Sequence, residues 1–349
     1  MIEIPRVRSD GRRPPLSLAL QGGGAHGAFT WGVLDRLLEA DRYEFPAVTG
    51  TSAGAVNAIA LAHGLLVGGA DGARDTLDAV WQAVGSQAPT EFMMTGSTDR
   101  PTLTLLAKTA LSMSMSMSPA QLNPLGVDPL RDILTTHIDF ERLRTDPAAP
   151  RVHLAATHAD SGRLRIFSNA ELSVRSVLAS ACLPTLSKPV EIEGEPYWDG
   201  GFSANPPLQP FVADGRSDVL LVLIVPTRHE GVPERTAGIR ARQQELAFTT
   251  AFLRETEMVA AATARAQASR WPFLGDLEKT LRRMRWHLID AGPHLGMLDP
   301  QTRAIPHLPF LKSLRDTGRE FTQDWLIRHG RSVGQRATAD LATLSSLAG

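Results

Sequence analysis

Short apolar runs alternate with longer segments of helical periodicity along much of the chain. The apolar runs predict strands at residues 16–21, 46–49, 152–156, 164–168, 190–193, 197–198, 219–225 and 286–289. The helical patterns fall at residues 27–40, 53–66, 75–84, 128–137, 172–181 and 239–268. Strands that alternate with helices are typical of an α/β fold, so we predict a mainly parallel sheet with helices on its faces.

This alternation stops between about residues 86 and 126, where serine, threonine, proline and methionine dominate. The segment predicts an insertion or a cap on the main fold. We therefore divide the chain into a flexible leader (1–15), a main domain (16–225) that carries the insertion, and a mostly helical extension (226–349) packed on the same domain.

The composition restricts the partners of the chain. Its 349 residues are 43% hydrophobic, and 36 basic against 37 acidic residues leave a formal net charge of -1, so no nucleic-acid surface is expected. A single cysteine, Cys182, excludes an internal disulfide and fits a reducing compartment, which favours the cytoplasm. No apolar run approaches the ~18 residues of a membrane-spanning helix, so any membrane contact should be transient and peripheral.

The segment Gly50-Thr51-Ser52-Ala53-Gly54 lies between a predicted strand and a predicted helix. Small residues on both sides of Ser52 allow a sharp turn that lifts its hydroxyl above the sheet, as in the nucleophile elbow of hydrolases. A second match to the same pattern, around Ser332, follows a helix end and carries Arg331 and Arg336, which predicts a solvated segment. The strand-to-helix context therefore favours Ser52 as the nucleophile.

A glycine loop, Gly22-Gly23-Gly24-Ala25-His26-Gly27, follows the first predicted strand. Its spacing also fits a dinucleotide-binding loop, but no acidic residue stands at the end of the second strand, where a ribose would need one. No Lys-Ser or Lys-Thr pair supports a P-loop. The N–H groups of Gly22, Gly23 and Gly24, with that of Ala53, are instead predicted to bind the oxyanion of a tetrahedral intermediate.

A serine nucleophile needs a base, and none of the ten histidines stands in a convincing loop. Asp199 follows a predicted strand and precedes Gly200 and Gly201, whose lack of side chains allows close approach. Its carboxylate could take the proton of Ser52 directly. A histidine base in an α/β-hydrolase arrangement stays open as the alternative.

Four motifs together resemble the patatin-like phospholipase family: the glycine loop, the elbow, Ala179-Ser180-Ala181-Cys182-Leu183-Pro184 and Asp199-Gly200-Gly201, in the order that the family has them. The resemblance extends over residues 16–225. It implies a three-layer α/β/α fold and a Ser-Asp dyad, Ser52 with Asp199, that hydrolyses acyl esters of lipids. Gly50, Gly54, Gly200 and Gly201 would support the elbow and the base loop.

The resemblance leaves several points as expectations. No cofactor and no metal are expected, the substrate is a lipid or other acyl ester, and a lipid-binding protein without turnover is the non-enzymatic alternative. The family commonly has Arg or Lys where this chain has His26. The insertion could act as a mobile lid over a lipid groove lined by Phe92, Met93, Met94, Leu103, Leu105, Leu106, Met113, Met115 and Met117, or form an ordinary packed loop.

Overall fold

The computed structural model describes residues 13–87, 93–114, 117–123, 126–228, 231–269 and 274–346. Two of the predicted lid residues, Phe92 and Met115, and most of the leader lie outside them. The strands are β1 (Ser17–Leu20), β2 (Ala47–Thr51), β3 (Met94–Gly96), β4 (Pro101–Leu103), β5 (Arg151–His158), β6 (Leu164–Ser168), β7 (Val190–Ile192), β8 (Glu195–Asp199), β9 (Asp218–Leu223) and β10 (Arg285–Asp290).

A central sheet has the order β10-β9-β1-β2-β5-β8-β7, with β6 paired to β5. Its first five strands in this order are parallel, whereas β6, β7 and β8 join by antiparallel pairing. The mainly parallel sheet that the sequence predicts is therefore confirmed. The separate pair β3 and β4 forms a small hairpin within the insertion.

The helices are α1 (Gly27–Ala40), α2 (Ala53–Gly85), α3 (Leu105–Ser114), α4 (Pro119–Leu122), α5 (Pro129–His137), α6 (Phe140–Thr145), α7 (Val174–Ser180), α8 (Gln209–Ala213), α9 (Thr236–Ala268), α10 (Asp276–Arg283), α11 (Gly292–Leu295), α12 (Leu308–Arg328) and α13 (Leu341–Ser345). Alternate residues of β9 face opposite layers: Leu220 packs with α1, α2 and α12, whereas Leu221 packs with α8, α9 and α10. This gives the three-layer α/β/α arrangement.

Two features of the helices differ from the sequence predictions. The helices predicted at 53–66 and 75–84 form one run, α2, which breaks only at Gly68 and Gly69, where the backbone leaves helical geometry. The insertion also contains regular structure, β3, β4, α3 and α4, and Ala107 of α3 packs against Leu103 and Ile305.

Helix α2 also corrects the expectation that no segment is long and apolar enough to span a membrane. An 18-residue window of this helix has a mean hydropathy of 1.5, which meets the length and composition of a spanning helix. However, 61% of that window is buried inside the fold, a pattern that core helices share. The apolar side chains of α2 face α1, β2 and β5 within the larger core.

The register of the sheet brings three loops together. Leu20 at the end of β1 pairs with Gly50 of β2, so the glycine loop and the elbow leave neighbouring strands side by side. On the other side, Thr51 pairs with Ala155 of β5, and Asp199 pairs with the next residue of β5, Ala156. Strand β5 therefore carries the ends of β2 and β8 on adjacent residues.

Candidate active site

Ser52 occupies the turn between β2 and α2 in a strained backbone conformation. Its φ of 55° and ψ of -122° are uncommon for a residue with a side chain, and its exposure is only 8%. A Cβ at Gly54 would overlap the carbonyl oxygen of Leu20, and one at Gly50 would overlap that of Gly54. The elbow pattern thus requires glycine on both sides for close packing.

The backbone N–H of Ser52 donates to the hydroxyl of Ser180 at 3.0 Å. Ser180 is fully buried near the end of α7, in a motif to which the sequence analysis gave no role. Because the strained turn leaves this N–H without a backbone partner, the hydroxyl stabilises the conformation of the elbow. The contact depends on how closely two motifs that are distant in sequence approach in the fold, and the sequence alone does not show that distance.

Replacing Ser180 by alanine should weaken the elbow. The buried N–H of Ser52 would lose its acceptor, which costs about 1–3 kcal/mol of unfolding free energy, and ester hydrolysis should fall about tenfold. Ser173→Ala, which removes the N-cap of the same helix, is the matched control and should lower stability by ~1 kcal/mol with unchanged hydrolysis. Denaturant unfolding and ester hydrolysis measure both effects; equal activities of the two variants would contradict the assigned contact.

The glycine loop lies beside the elbow, but its first residue is not a free donor. The N–H of Gly22 donates to Asn205 Oδ1 at 2.7 Å, so this group is removed from the predicted oxyanion set. Gly22 serves packing instead, since a Cβ there would stand 2.7 Å from that of Ser52. Within the described residues, the N–H groups of Gly23, Gly24 and Ala53 have no acceptor.

Two polar residues that the sequence analysis missed fix the glycine loop. Asn205, which is fully buried, also donates through Nδ2 to the carbonyl of Gly22 at 3.4 Å. Gln21 accepts through Oε1 from the N–H groups of Ile224 (2.7 Å) and Val225 (2.8 Å). A buried glutamine just before a glycine loop was the one available signal, because such a side chain must find partners nearby.

Asp199 ends β8 and is fully buried. Its Oδ1 accepts from the N–H of Gly201 at 2.8 Å, whereas Oδ2 has no hydrogen-bond partner within the described chain. Burial raises the pKa of Asp199 from 3.8 to about 7; hydrogen bonding to Gly201 and the nearby Ser52 hydroxyl lower it in part. The Ser52 hydroxyl thus lies close to the carboxyl group without being aligned on Oδ2.

The preceding residue, Trp198, does not bury Asp199. Successive side chains of a strand point to opposite faces, so Trp198 and Asp199 lie on different sides of β8. Glycines support the base loop on the Asp199 side. A Cβ at Gly200 would overlap the carbonyl of Ala155, and one at Gly201 would overlap the ring of Phe248.

His26 is buried in the glycine loop rather than directed at an oxyanion. Its Nε2 lies 2.8 Å from the hydroxyl of Thr302, which itself donates to Asp299, so the tautomer carries its proton on Nε2. Burial, aided by the charge of Arg303, lowers the pKa of His26 to about 3. The ring is therefore neutral and contacts Thr302 and Phe310.

The structure excludes Ser332 as an equivalent of Ser52, but for a different reason from the predicted one. Ser332 is buried, not solvated, in a short turn after α12. Two residues later, the N–H of Gly334 donates to Asp218 at 2.8 Å, which anchors this segment to the start of β9. The surrounding glycines therefore belong to a structural connection.

The described part of the chain offers Ser52 neither a histidine partner nor a metal-binding cluster. No histidine forms a hydrogen bond with Ser52 there, and no group of three or more His, Cys, Asp or Glu could hold a metal ion. The site thus combines Ser52 and Asp199 with unpaired backbone donors at the carboxyl edge of a parallel sheet.

The strand-to-helix turn at Ser52, the glycine loop and the buried carboxyl group of Asp199 lie together on an α/β/α fold. The sequence profile of patatin-like phospholipases matches residues 18–212, and the chain belongs to the patatin-like phospholipase family. Membership supports lipid acyl hydrolysis and lipid substrates. No curated protein sequence matches the chain. Among solved structures, VipD from Legionella pneumophila is similar at 16% identity, with 91% of this chain and 67% of VipD covered; its TM-score of 0.45 adds nothing to the assignment.

Proposed function

We propose that the chain is a serine lipid acyl hydrolase in which Ser52 is the nucleophile and Asp199 the base. The observation that carries the proposal is the unpartnered Oδ2 of a fully buried carboxyl beside Ser52. Burial brings the pKa of Asp199 to about 7, and a base is most useful when its pKa lies near the working pH. An ordinary aspartate would be far too weak.

In the acylation step, the Oγ–H proton of Ser52 passes to Asp199 Oδ2 while Oγ bonds to the ester carbonyl carbon. The carbonyl oxygen becomes an anion, for which the N–H groups of Gly23, Gly24 and Ala53 are the available donors. The bond to the leaving alcohol then breaks, and the alcohol takes the proton from Asp199. The acyl group remains on Ser52.

Deacylation repeats the same proton transfers with water in place of serine. Asp199 takes a proton from the water as its oxygen attacks the acyl carbon, and the proton returns to Ser52 Oγ when the ester bond breaks. The neutral His26, held by Thr302, takes no part in these transfers. The alternative with a histidine base lacks a histidine that bonds to Ser52 in the described chain.

Two assays on the wild-type protein test this proposal. A fluorophosphonate probe should label Ser52 in intact protein, and a panel of phospholipids, lysophospholipids, glycerides and short p-nitrophenyl esters should reveal hydrolysis. Failure of the folded protein to label would contradict the proposal and favour lipid binding without turnover. The panel also identifies the preferred head group and chain length.

We further propose that α3 contacts the lipid surface, as expected for a cytoplasmic protein with peripheral membrane contact. Leu105, Leu106 and Met113 are 81%, 79% and 66% exposed, and successive angles of 100° per residue place them on one outward stripe. The helix contains Lys108 but no acidic residue. It packs through Ala107 on Ile305.

The turn at Pro300–Ala304 links α3 to the glycine loop. Thr302 binds His26, and Arg303 packs its carbonyl on Gly24. The exposed stripe is therefore joined to the carboxyl edge of the sheet by one short connection, which supports contact with a bilayer that contains the substrate. Amphipathic helices of this kind bind at the boundary of head groups and acyl chains.

The double variant Leu105→Ser/Leu106→Ser should bind phosphatidylcholine vesicles at least about tenfold more weakly, because two apolar side chains no longer enter the bilayer. Hydrolysis of a soluble p-nitrophenyl ester should not change. Val232→Ser removes another apolar side chain, one that is 89% exposed and lies outside α3, and is the control. Vesicle sedimentation measures the binding of both variants, and equal binding would contradict the proposed contact of α3 with the membrane.

A further inference from the structure

One face of α9 contacts the candidate site from outside the region that matches the family profile. Four side chains on this face follow at intervals of three or four residues and therefore point the same way: Glu245, Phe248, Phe252 and Glu255. Glu245 pairs with Arg303 at 3.1 Å, and Glu255 accepts from the N–H groups of Leu208 and Gln209 at 3.0 and 2.6 Å. Helix α9 is thus fixed to the segments that flank both the glycine loop and the base loop.

Along α9, Phe248 lies between Glu245, which pairs with Arg303, and Glu255, which accepts from Leu208 and Gln209. A Cβ built on Gly201 would overlap two carbons of the Phe248 ring and would stand 3.0 Å from Asp199 Oδ1. The ring and the carboxyl oxygen therefore approach the same point. Phe202 packs on the ring with centroids 4.8 Å apart, which holds the ring in this position.

The cover over Asp199 therefore includes a side chain from a distant part of the sequence. We propose that Phe248 is a positioning residue of the hydrolytic reaction, which closes the space above Asp199 and keeps water from its carboxyl group. This inference rests on the proposed role of Asp199 as the base. Gly201 fits the same account, because any side chain at this position would displace the ring.

The cover has a direct consequence for the chemistry. Exclusion of water disfavours the ionised carboxylate, so the covered aspartate holds a proton more firmly and accepts the Ser52 proton more readily. The neighbouring N–H of Gly201 bonds only Oδ1 and leaves Oδ2 for the proton. Helix α9 would then set the strength of the base without touching the substrate.

Phe248→Ala should move the acid limb of the kcat/KM profile for a soluble ester about one pH unit lower, because water reaches the carboxyl group. The plateau should fall about threefold to tenfold, since a weaker base transfers the proton less readily. Leu246→Ala, on the same helix but 43% exposed, is the control and should leave the profile unchanged. An unmoved limb in folded Phe248→Ala would overturn the inference.

Phe248→Leu serves as the test if the alanine variant does not fold. It should shift the acid limb of the kcat/KM profile by a few tenths of a pH unit, and an unshifted limb would contradict the role of Phe248 as a cover over Asp199. A second readout does not need turnover. Wild-type protein should lose stability between pH 5 and pH 8 as Asp199 ionises, and this loss should be smaller in the Phe248 variants. Absence of Ser52-dependent hydrolysis would instead refute the proposed function, while this second readout would still decide the role of Phe248.

Discussion

Replacing Ser52 by alanine should abolish ester hydrolysis by the folded protein. Acylation needs the Oγ atom of Ser52, so the rate should fall on the order of 10⁴- to 10⁶-fold. Hydrolysis of a soluble p-nitrophenyl ester and labelling by a fluorophosphonate measure the loss. Both should fall to background while the unfolding transition remains.

The second serine pattern supplies the matched control for this variant. Ser332→Ala changes the same residue type within the same pattern, but in a buried connection next to β9, which three strands separate from β8 and Asp199. It should retain wild-type hydrolysis. Activity that survives in Ser52→Ala, or that disappears equally in Ser332→Ala, would contradict the assignment of the nucleophile.

The second large effect is expected from Asp199→Asn. The amide has the shape of the carboxyl group but cannot accept the serine proton, so hydrolysis should fall on the order of 10³- to 10⁴-fold. In wild-type protein, kcat/KM should fall as the pH drops below about 7, since burial raises the pKa of Asp199 to about 7 and only the ionised form is a base.

Asp290→Asn is the control for this variant. Asp290 also ends a strand, its Oδ1 accepts from the N–H two residues later at 2.8 Å, and burial raises its pKa. It therefore repeats the local geometry of Asp199 without the neighbouring serine. Asp290→Asn should keep its activity and its acid limb; loss of both would show that the effect of Asp199→Asn is general to buried carboxyl groups.

Asp199→Asn should also gain stability relative to wild type at alkaline pH. The folded pKa of about 7 lies above the ordinary 3.8, so stability from this group is fully present below pH 3.8 and is lost as the pH rises through about 7. Asparagine does not titrate. The stability difference in favour of the variant should grow by on the order of 2 kcal/mol between pH 5 and pH 8 in denaturant unfolding.

The sequence predicted most of the elements and motifs that depend on local patterns of residues. Alternation of apolar runs with helical segments placed β1, β9 and α1 near their observed bounds, because burial on both faces of a parallel strand leaves a continuous apolar run. The elbow at Ser52 and the strand end at Asp199 were likewise local patterns. Family motifs then linked these two residues into one hypothesis.

What the sequence could not give depends on contacts between distant segments. The N–H of Gly22 carries no local sign that Asn205 accepts from it, and Phe248 belongs to a helix whose apolar spacing is that of ordinary core packing. The low pKa of His26 comes from its burial in the fold, aided by the charge of Arg303, a residue from the far end of the chain. Such contacts follow from the register of the sheet and the position of α9.

Strand β1 pairs with β2 on one side and with β9 on the other, and β9 is synthesised last of the three. Ser52 and Asp199 precede β9 in the chain, so a nascent chain that ends near residue 212 contains both proposed catalytic residues but leaves one edge of β1 without hydrogen bonds. Exposed strand edges of this kind invite pairing with other chains. The growing chain therefore contains these two residues before the strand that covers this edge of β1.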